Sequence, residues 1–217
     1  MASPKGVARA RPPRRQMRRA VSEEDKIKRR QELLDAAKQL FAERGYHATT
    51  MADVARRAGL SYGVVYWYFD SKDDLFKALM TAEEDALRSR IADTLAASSP
   101  RDFRRGLEDA IRATFEWFDD DRDAATLLFR DSYSLGDDFE RHLFGIYGRF
   151  LDSIRDAVVA SQRTGMIREA PPRLVAFSIA ALVSQMALRR LSTDDGMSAA
   201  EAAAFCVGLL FDGLSPR

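Results

Sequence analysis

Three residues that favour helix N-termini, Thr50, Ser61 and Ser71, stand ten or eleven positions apart in one stretch of this 217-residue chain. Each carries a short hydroxyl able to accept from the free N–H groups of a first helical turn. Thr50 has Asp53 three positions on, and Ser71 has Asp74, which is the spacing of a capping box. Gly59, just before the second cap, permits the left-handed backbone that ends many helices. Neither a long helix nor a strand fits between signals so closely set. The stretch 45–76, GYHATTMADVARRAGLSYGVVYWYFDSKDDLF, therefore reads as two short helices around a tight turn, followed by the start of another helix. The first short helix turns Met51, Val54 and Ala55 inward. The second runs from Ser61 to about Phe69.

Helical signals extend to both sides. A first helix is expected from near Ser22 to about Arg44, with Ile27, Leu34, Ala37 and Phe41 on its inner stripe and Gly45 as its stop. The helix opened by Ser71 is long, to about Ala97, and ends at Ser98-Ser99-Pro100. Further helices are expected near 101–118, 123–135, 138–163, 172–190 and 198–212. No run alternates apolar and polar residues with period two. Only 7 Pro and 12 Gly punctuate the chain, and the common residues are good helix formers. The fold class is all-α, with about nine helices. The expected organisation is an arm over 1–22, a three-helix helix-turn-helix domain over 23–80, and a C-terminal helical domain over 81–217, joined through the long fourth helix.

Charge is distributed unevenly. Residues 1–30 hold 11 Lys/Arg against 3 Asp/Glu, although the whole chain sums to +1. A basic end on an acidic body points to a polyanion met at one end only. The arm, with Arg14-Arg15 and Arg18-Arg19, has no apolar period and reads as disordered, attracted to phosphate without sequence preference.

Several function classes are excluded by composition. One cysteine, Cys206, supplies neither a disulfide nor a cysteine metal site. It fits a cytoplasmic chain and reads as a small buried hydrophobe. Two histidines, His47 and His142, make no metal cluster. No Gly-rich phosphate loop or GxSxG elbow is present, so no enzyme, metal or cofactor is expected. The basic N-terminus has no apolar segment after it, as a signal peptide would require. The apolar run from Leu174 to Leu188 is broken by Ser178, Ser184 and Gln185 and is shorter than the roughly 18–20 residues that span a bilayer. It reads as a buried interface helix, and no membrane contact is expected.

The second short helix carries the function. Val65 and Phe69 lie four apart and point inward. Tyr62, Gly63, Tyr66 and Trp67 then face outward, an unusual surface for a solvated helix. In the major groove of DNA, tyrosine hydroxyls bond phosphates and apolar edges meet thymine methyl groups. Gly63 lets the backbone approach closely. Thr50 and Lys72 sit at helix N-termini, where N–H groups also favour phosphate. His47 lies in a solvated loop.

At these residues the chain resembles the TetR family of bacterial repressors. The marks are LFAERGY, Thr49-Thr50, the DVARRAG helix, and YWYF followed by Ser71-Lys72 and Leu75, within Ile27 to Leu79. The resemblance implies a helical homodimer whose recognition helix reads a palindromic double-stranded operator. Carried over position by position, the implied contacts are Thr50, Ser61, Tyr62, Gly63, Val64, Tyr66, Trp67, Tyr68 and Lys72. Tyr62 departs from the pattern, since many members carry a Lys, Arg or small polar residue there. Residues 31–80 hold 6 Lys/Arg and 7 Asp/Glu, so the motif itself has no net basic charge.

The C-terminal half is dense in aromatics: Phe115, Trp117, Phe118, Phe129, Tyr133, Phe139, Phe144, Tyr147 and Phe150. An apolar pocket for a small-molecule effector is expected among Phe115, Trp117, Phe118, Phe129, Tyr133, Phe144, Tyr147 and Gln185. Arg130, Arg141, His142 and Arg189 are further polar candidates for a head group. LFRDSY and the GMIRE turn loosely resemble members that sense fatty acyl or other acyl thioesters. The last two helices, through Leu174, Phe177, Ala181, Phe205 and Leu209, with Ala202, Ala203 and Val207, are expected to form a four-helix dimer interface. Effector binding would swing the fourth helix, separate the two recognition helices and release the operator. The competing reading is a non-specific nucleic-acid binder working through the arginine arm.

Overall fold

The computed structural model describes residues 22–97, 102–130, 137–193 and 196–213. The arm, Tyr133 and the separators at 98–100 and 194–195 lie outside the described residues. Nine helices and no strand are present among the described residues. Helix α1 (Glu23–Ala48) starts at Ser22, whose Oγ accepts from the Asp25 N–H at 3.0 Å. Glu23, Glu24 and Asp25 fill its first turn, where the helix dipole favours negative charge. Leu33, Leu34, Ala37, Leu40 and Phe41 recur at three- and four-residue spacing and are buried. Gly45, at φ 78° and ψ 167°, breaks the helical path near the end of α1. Ile27 departs from expectation. It is 70% exposed, because the first two turns of α1 project beyond the core.

The short helices are α2 (Met51–Arg57) and α3 (Tyr62–Tyr68). Gly59, at φ 67°, turns the chain between them. The long α4 (Lys72–Ala97) leads to α5 (Phe103–Asp120) and α6 (Arg122–Arg130). The C-terminal part is completed by α7 (Asp137–Arg163), α8 (Pro172–Ser192) and α9 (Ala199–Phe211).

Two cores form. The first gathers α1 to α4 around Leu34, Phe41, Val54, Val65 and Phe76, and it also takes in Leu127 of α6 and Ile146 of α7. The second gathers α5, α8 and α9 around Phe115, Val183 and Cys206. Helix α4 links them by packing on α1, α5 and α7.

Helix α8 is longer than its apolar run. Its 21 residues meet the length and composition of a membrane span, which 174–188 alone does not. Here one face, through Ala176, Ile179, Ala180, Val183 and Ala187, is buried against the bundle.

Candidate nucleic-acid interface

Helix α2 is held at its start by a complete capping box. Thr50 Oγ1 accepts from the Asp53 N–H at 3.2 Å, and Asp53 Oδ2 accepts from the Thr50 N–H at 3.2 Å. Bonding to the Thr50 hydroxyl first, and to its backbone N–H, holds the Asp53 carboxyl below the usual range. Ser61 occupies the N-cap position of α3 with extended backbone, but its side chain makes no capping hydrogen bond. Its hydroxyl, exposed at the tip of the motif, thus plays no part in holding the helix. Ser71 caps α4 as expected, accepting from the Asp74 N–H at 3.1 Å.

The seven residues of α3 are anchored by Val65, and Phe69 just after the helix is also buried. Tyr62, Tyr66 and Trp67 are therefore turned outward, 54%, 41% and 63% exposed. Gly63 is exposed between them, and Val64 is half-buried. The Tyr62 and Tyr66 hydroxyls share a hydrogen bond at 3.1 Å, and the two rings lie 4.8 Å apart. That bond raises the Tyr66 hydroxyl above its ordinary pKa. Tyr68 is half-buried against the first core rather than turned out, with its ring edge-on to Trp67 at 4.6 Å. Cations border the aromatic face: Lys26 Nζ lies 5.9 Å from the Trp67 ring, and the Arg30 guanidinium 5.4 Å from Phe69. The projecting start of α1 thus places two cations beside this face, of which Lys26 is also paired with Glu23.

Lys72 also makes contacts within the chain that the sequence did not announce. Its ammonium donates to the carbonyls of Tyr46 at 2.7 Å and Thr49 at 2.9 Å, and lies 4.1 Å from the Tyr46 ring. Burial lowers its pKa, with Asp73 opposing. Two of its three donors are thereby committed to locking the loop between α1 and α2 onto α4. Sequence reasoning also missed Thr49. It is buried, and its hydroxyl lies 3.2 Å from the Leu40 carbonyl and 2.9 Å from that of Gly45. Tyr46 joins this junction by donating to Asp73. His47 is exposed, edge-on to Tyr46.

The expected aromatic pocket is not assembled from the named residues. Phe115, Trp117 and Phe118 are buried in the second core among Val158, Ile179 and Val183. Phe144 is 69% exposed on α7, and Tyr147 and Gln185 are exposed as well. The side chains of Phe129, Arg130 and Phe139 lie outside the described residues. The aromatics of α5 reflect core packing along the buried face of that helix. Among the dimer candidates, Leu174, Phe177 and Phe205 are exposed, while Ala181 and Leu209 are half-buried. Ala202, Ala203 and Val207 are instead buried within the chain, because they form the face of α9 that packs on α5.

Residues 33–79 match the family model described as bacterial regulatory proteins, tetR family. The HTH-type transcriptional activator FasR of Mycolicibacterium smegmatis is 37% identical over 105 residues, 48% of this chain. In that match the chain spans about half, 47%, of the length of FasR. The HTH-type transcriptional regulator HbdR of an Aromatoleum strain is 28% identical over 179 residues, 80% of this chain and 75% of its own. Among solved structures, the regulator FadR from Bacillus subtilis superposes with a TM-score of 0.78 at 19% identity, over 85% of this chain and 99% of that one. All three are transcriptional regulators. An exposed aromatic helix after a capped short helix, within the residues that match this model, gives residues 33–79 the helix-turn-helix domain of the tetR family.

Proposed function

We propose that the protein is a homodimeric, cytoplasmic repressor that reads a palindromic operator through α3 and leaves it when a small lipophilic effector binds. Residues 23–80 form the DNA-binding head, and residues 81–217 the effector-binding and dimerisation body. The observation that carries the reading is the outward face of α3, where three large aromatics are exposed beside Gly63. Thr50, Ser61, Tyr62, Tyr66 and Trp67 are exposed on or beside this head surface, where a duplex would meet them. Lys26 supplies phosphate attraction.

Dimerisation is supported by Leu174 and Phe177 on α8 and Phe205 on α9, large apolar side chains left at the surface of a single chain. Two-fold symmetry in the protein matches a palindrome in the DNA. The effector class is an acyl compound such as an acyl thioester. Its support is that the FadR neighbour was crystallised with stearoyl-CoA.

The decisive experiment selects the full-length protein against a random duplex library at near-physiological salt. A shared palindrome is expected among the recovered sequences. Recovery of unrelated sequences would overturn the reading in favour of non-specific binding through the arginine arm.

Gly63 provides a sharper check. A Cβ built at this position meets nothing within 4 Å. Gly63→Ala is therefore expected to raise stability by about 0.5 kcal/mol, since alanine favours helix. Operator affinity is expected to fall about tenfold, because the added methyl occupies the space between backbone and DNA. Thermal denaturation and operator titration should thus move in opposite directions. Unchanged affinity would remove Gly63 from the contact surface.

A further inference from the structure

A second feature lies at the seam between head and body. Helices α1, α4 and α7 line an open cleft of about 290 Å³. Its polar lining comes from Arg30 of α1, Lys77, Thr81 and Asp85 of α4, and His142 of α7. Ala78 and Ala82 supply a small apolar wall. At roughly 30 Å³ per water molecule, the space holds a compound of about ten heavy atoms.

The charges in this cleft do not cancel. Asp85 is already paired with Arg88 on its own helix. Among the described residues, Lys77 and Arg30 meet no carboxylate, and the Arg30 guanidinium is stacked only on the Phe69 ring. Thr81 Oγ1 donates to the Lys77 carbonyl at 2.9 Å and stands 3.2 Å from His142 Nε2. With the hydroxyl proton committed to that carbonyl, Thr81 accepts from His142, which assigns the proton to Nε2. The cleft thus presents an ammonium, a guanidinium and an oriented imidazole from three separate helices.

We propose that this cleft is a binding site for a small organic anion, a carboxylate or a phosphate ester. Ion pairing to Lys77 and a forked bond to Arg30 hold the charged group, while Ala78 and Ala82 face its short apolar part. A DNA phosphate fits less well. Thr81 lies nine residues into α4 from Lys72, about 14 Å along the axis at 1.5 Å per residue. An anion here touches α1, α4 and α7 at once and fixes the head against the body. Its effect on operator affinity rests on the regulator reading; its binding does not.

The chain has two histidines, His47 and His142, so ring NMR signals report the site with an internal control. Full-length protein is titrated with inorganic phosphate in one arm and butyrate in another, at constant ionic strength. A saturable shift of the His142 signals with His47 unmoved is expected, and the arm with the tighter curve identifies the head-group chemistry. Lys77→Met and Arg30→Gln should each weaken binding at least tenfold while leaving the thermal transition in place. Absent shifts in both arms, equal movement of both histidines, or a curve unchanged in Lys77→Met would overturn the proposal. So would movement of His142 with duplex DNA alone, which would make the cleft a backbone phosphate contact.

Discussion

Truncating Phe41 to alanine is expected to destabilise the DNA-binding head by about 4 kcal/mol. Phe41 is fully buried in the first core. Its ring lies 4.9 Å from Phe76 in an edge-on arrangement and 5.7 Å from Tyr46 in a stacked one. Tyr46 and Phe76 are themselves 5.3 Å apart, so the three rings form one closed cluster tying α1 to the start of α4. Removing the central ring deletes both aromatic contacts and leaves a cavity bounded by helices that cannot collapse independently. The same cluster positions the Tyr46 carbonyl that receives the Lys72 ammonium. Operator binding should therefore fall together with stability. For a chain of this length the expected drop in Tm is about 8–16 °C. Differential scanning calorimetry measures this drop. Phe41→Leu, which keeps most of the volume, should lose much less. A loss below about 1.5 kcal/mol in Phe41→Ala would show that the head repacks.

The second large effect is expected at Lys38. Replacing it by methionine should cost about 3 kcal/mol near pH 7, because a partly dry charge cluster loses the cation that serves both its carboxylates. Lys38 Nζ stands 3.1 Å from Glu83 Oε1 and 2.5 Å from Asp121 Oδ2. Glu83 is 8% exposed on α4, and Asp121 sits between α5 and α6. Burial pushes the Glu83 carboxyl above its ordinary value, and Lys38 offsets this only in part. Burial alone would lower the Lys38 ammonium, but the hydrogen bond to Asp121 and the charge of Glu83 outweigh it and hold the group above its ordinary value. The two directions are consistent, since one lysine serves two carboxylates.

The pH dependence follows from linkage. Glu83 binds its proton more readily in the folded state. Its contribution to stability is thus complete below the unfolded value near 4.5 and is lost as pH rises through the raised folded value. Without Lys38 the folded value rises further. The stability gap between parent and variant should be widest near neutrality and close as pH falls and Glu83 takes up its proton. Urea denaturation at pH 7 and pH 5 measures this. A gap that does not change with pH would assign the loss to packing of the lysine stem.

What the sequence made legible was local. Thr50, Ser71 and Gly59 marked helix ends because a cap or a left-handed turn is decided by a few neighbouring residues. The outward set on α3 followed from Val65 and Phe69 lying on one face. What escaped depends on distant partners. Lys72 read as a phosphate contact at a helix start, yet its acceptors, Tyr46 and Thr49, come from 26 and 23 positions away. Lys38 and Asp121 are 83 positions apart, and no pattern in either neighbourhood announces the other. The aromatics of the body misled for a related reason. Phe115 and Phe144 are equal as letters, but only the fold decides that one fills a core and the other meets solvent.

Leu127 gives the arrangement a consequence for how such proteins are recombined. This side chain belongs to α6, yet it fills space among residues of the first core, where Ile146 of α7 joins it. The head is therefore not a detachable reading module with a smooth underside. A chimaera that grafts residues 23–80 onto another body inherits two sockets shaped for leucine and isoleucine. Only a body presenting side chains of matching volume at both places will seat it, so exchange of operator specificity by head transplantation is restricted to partners that conserve those two plugs.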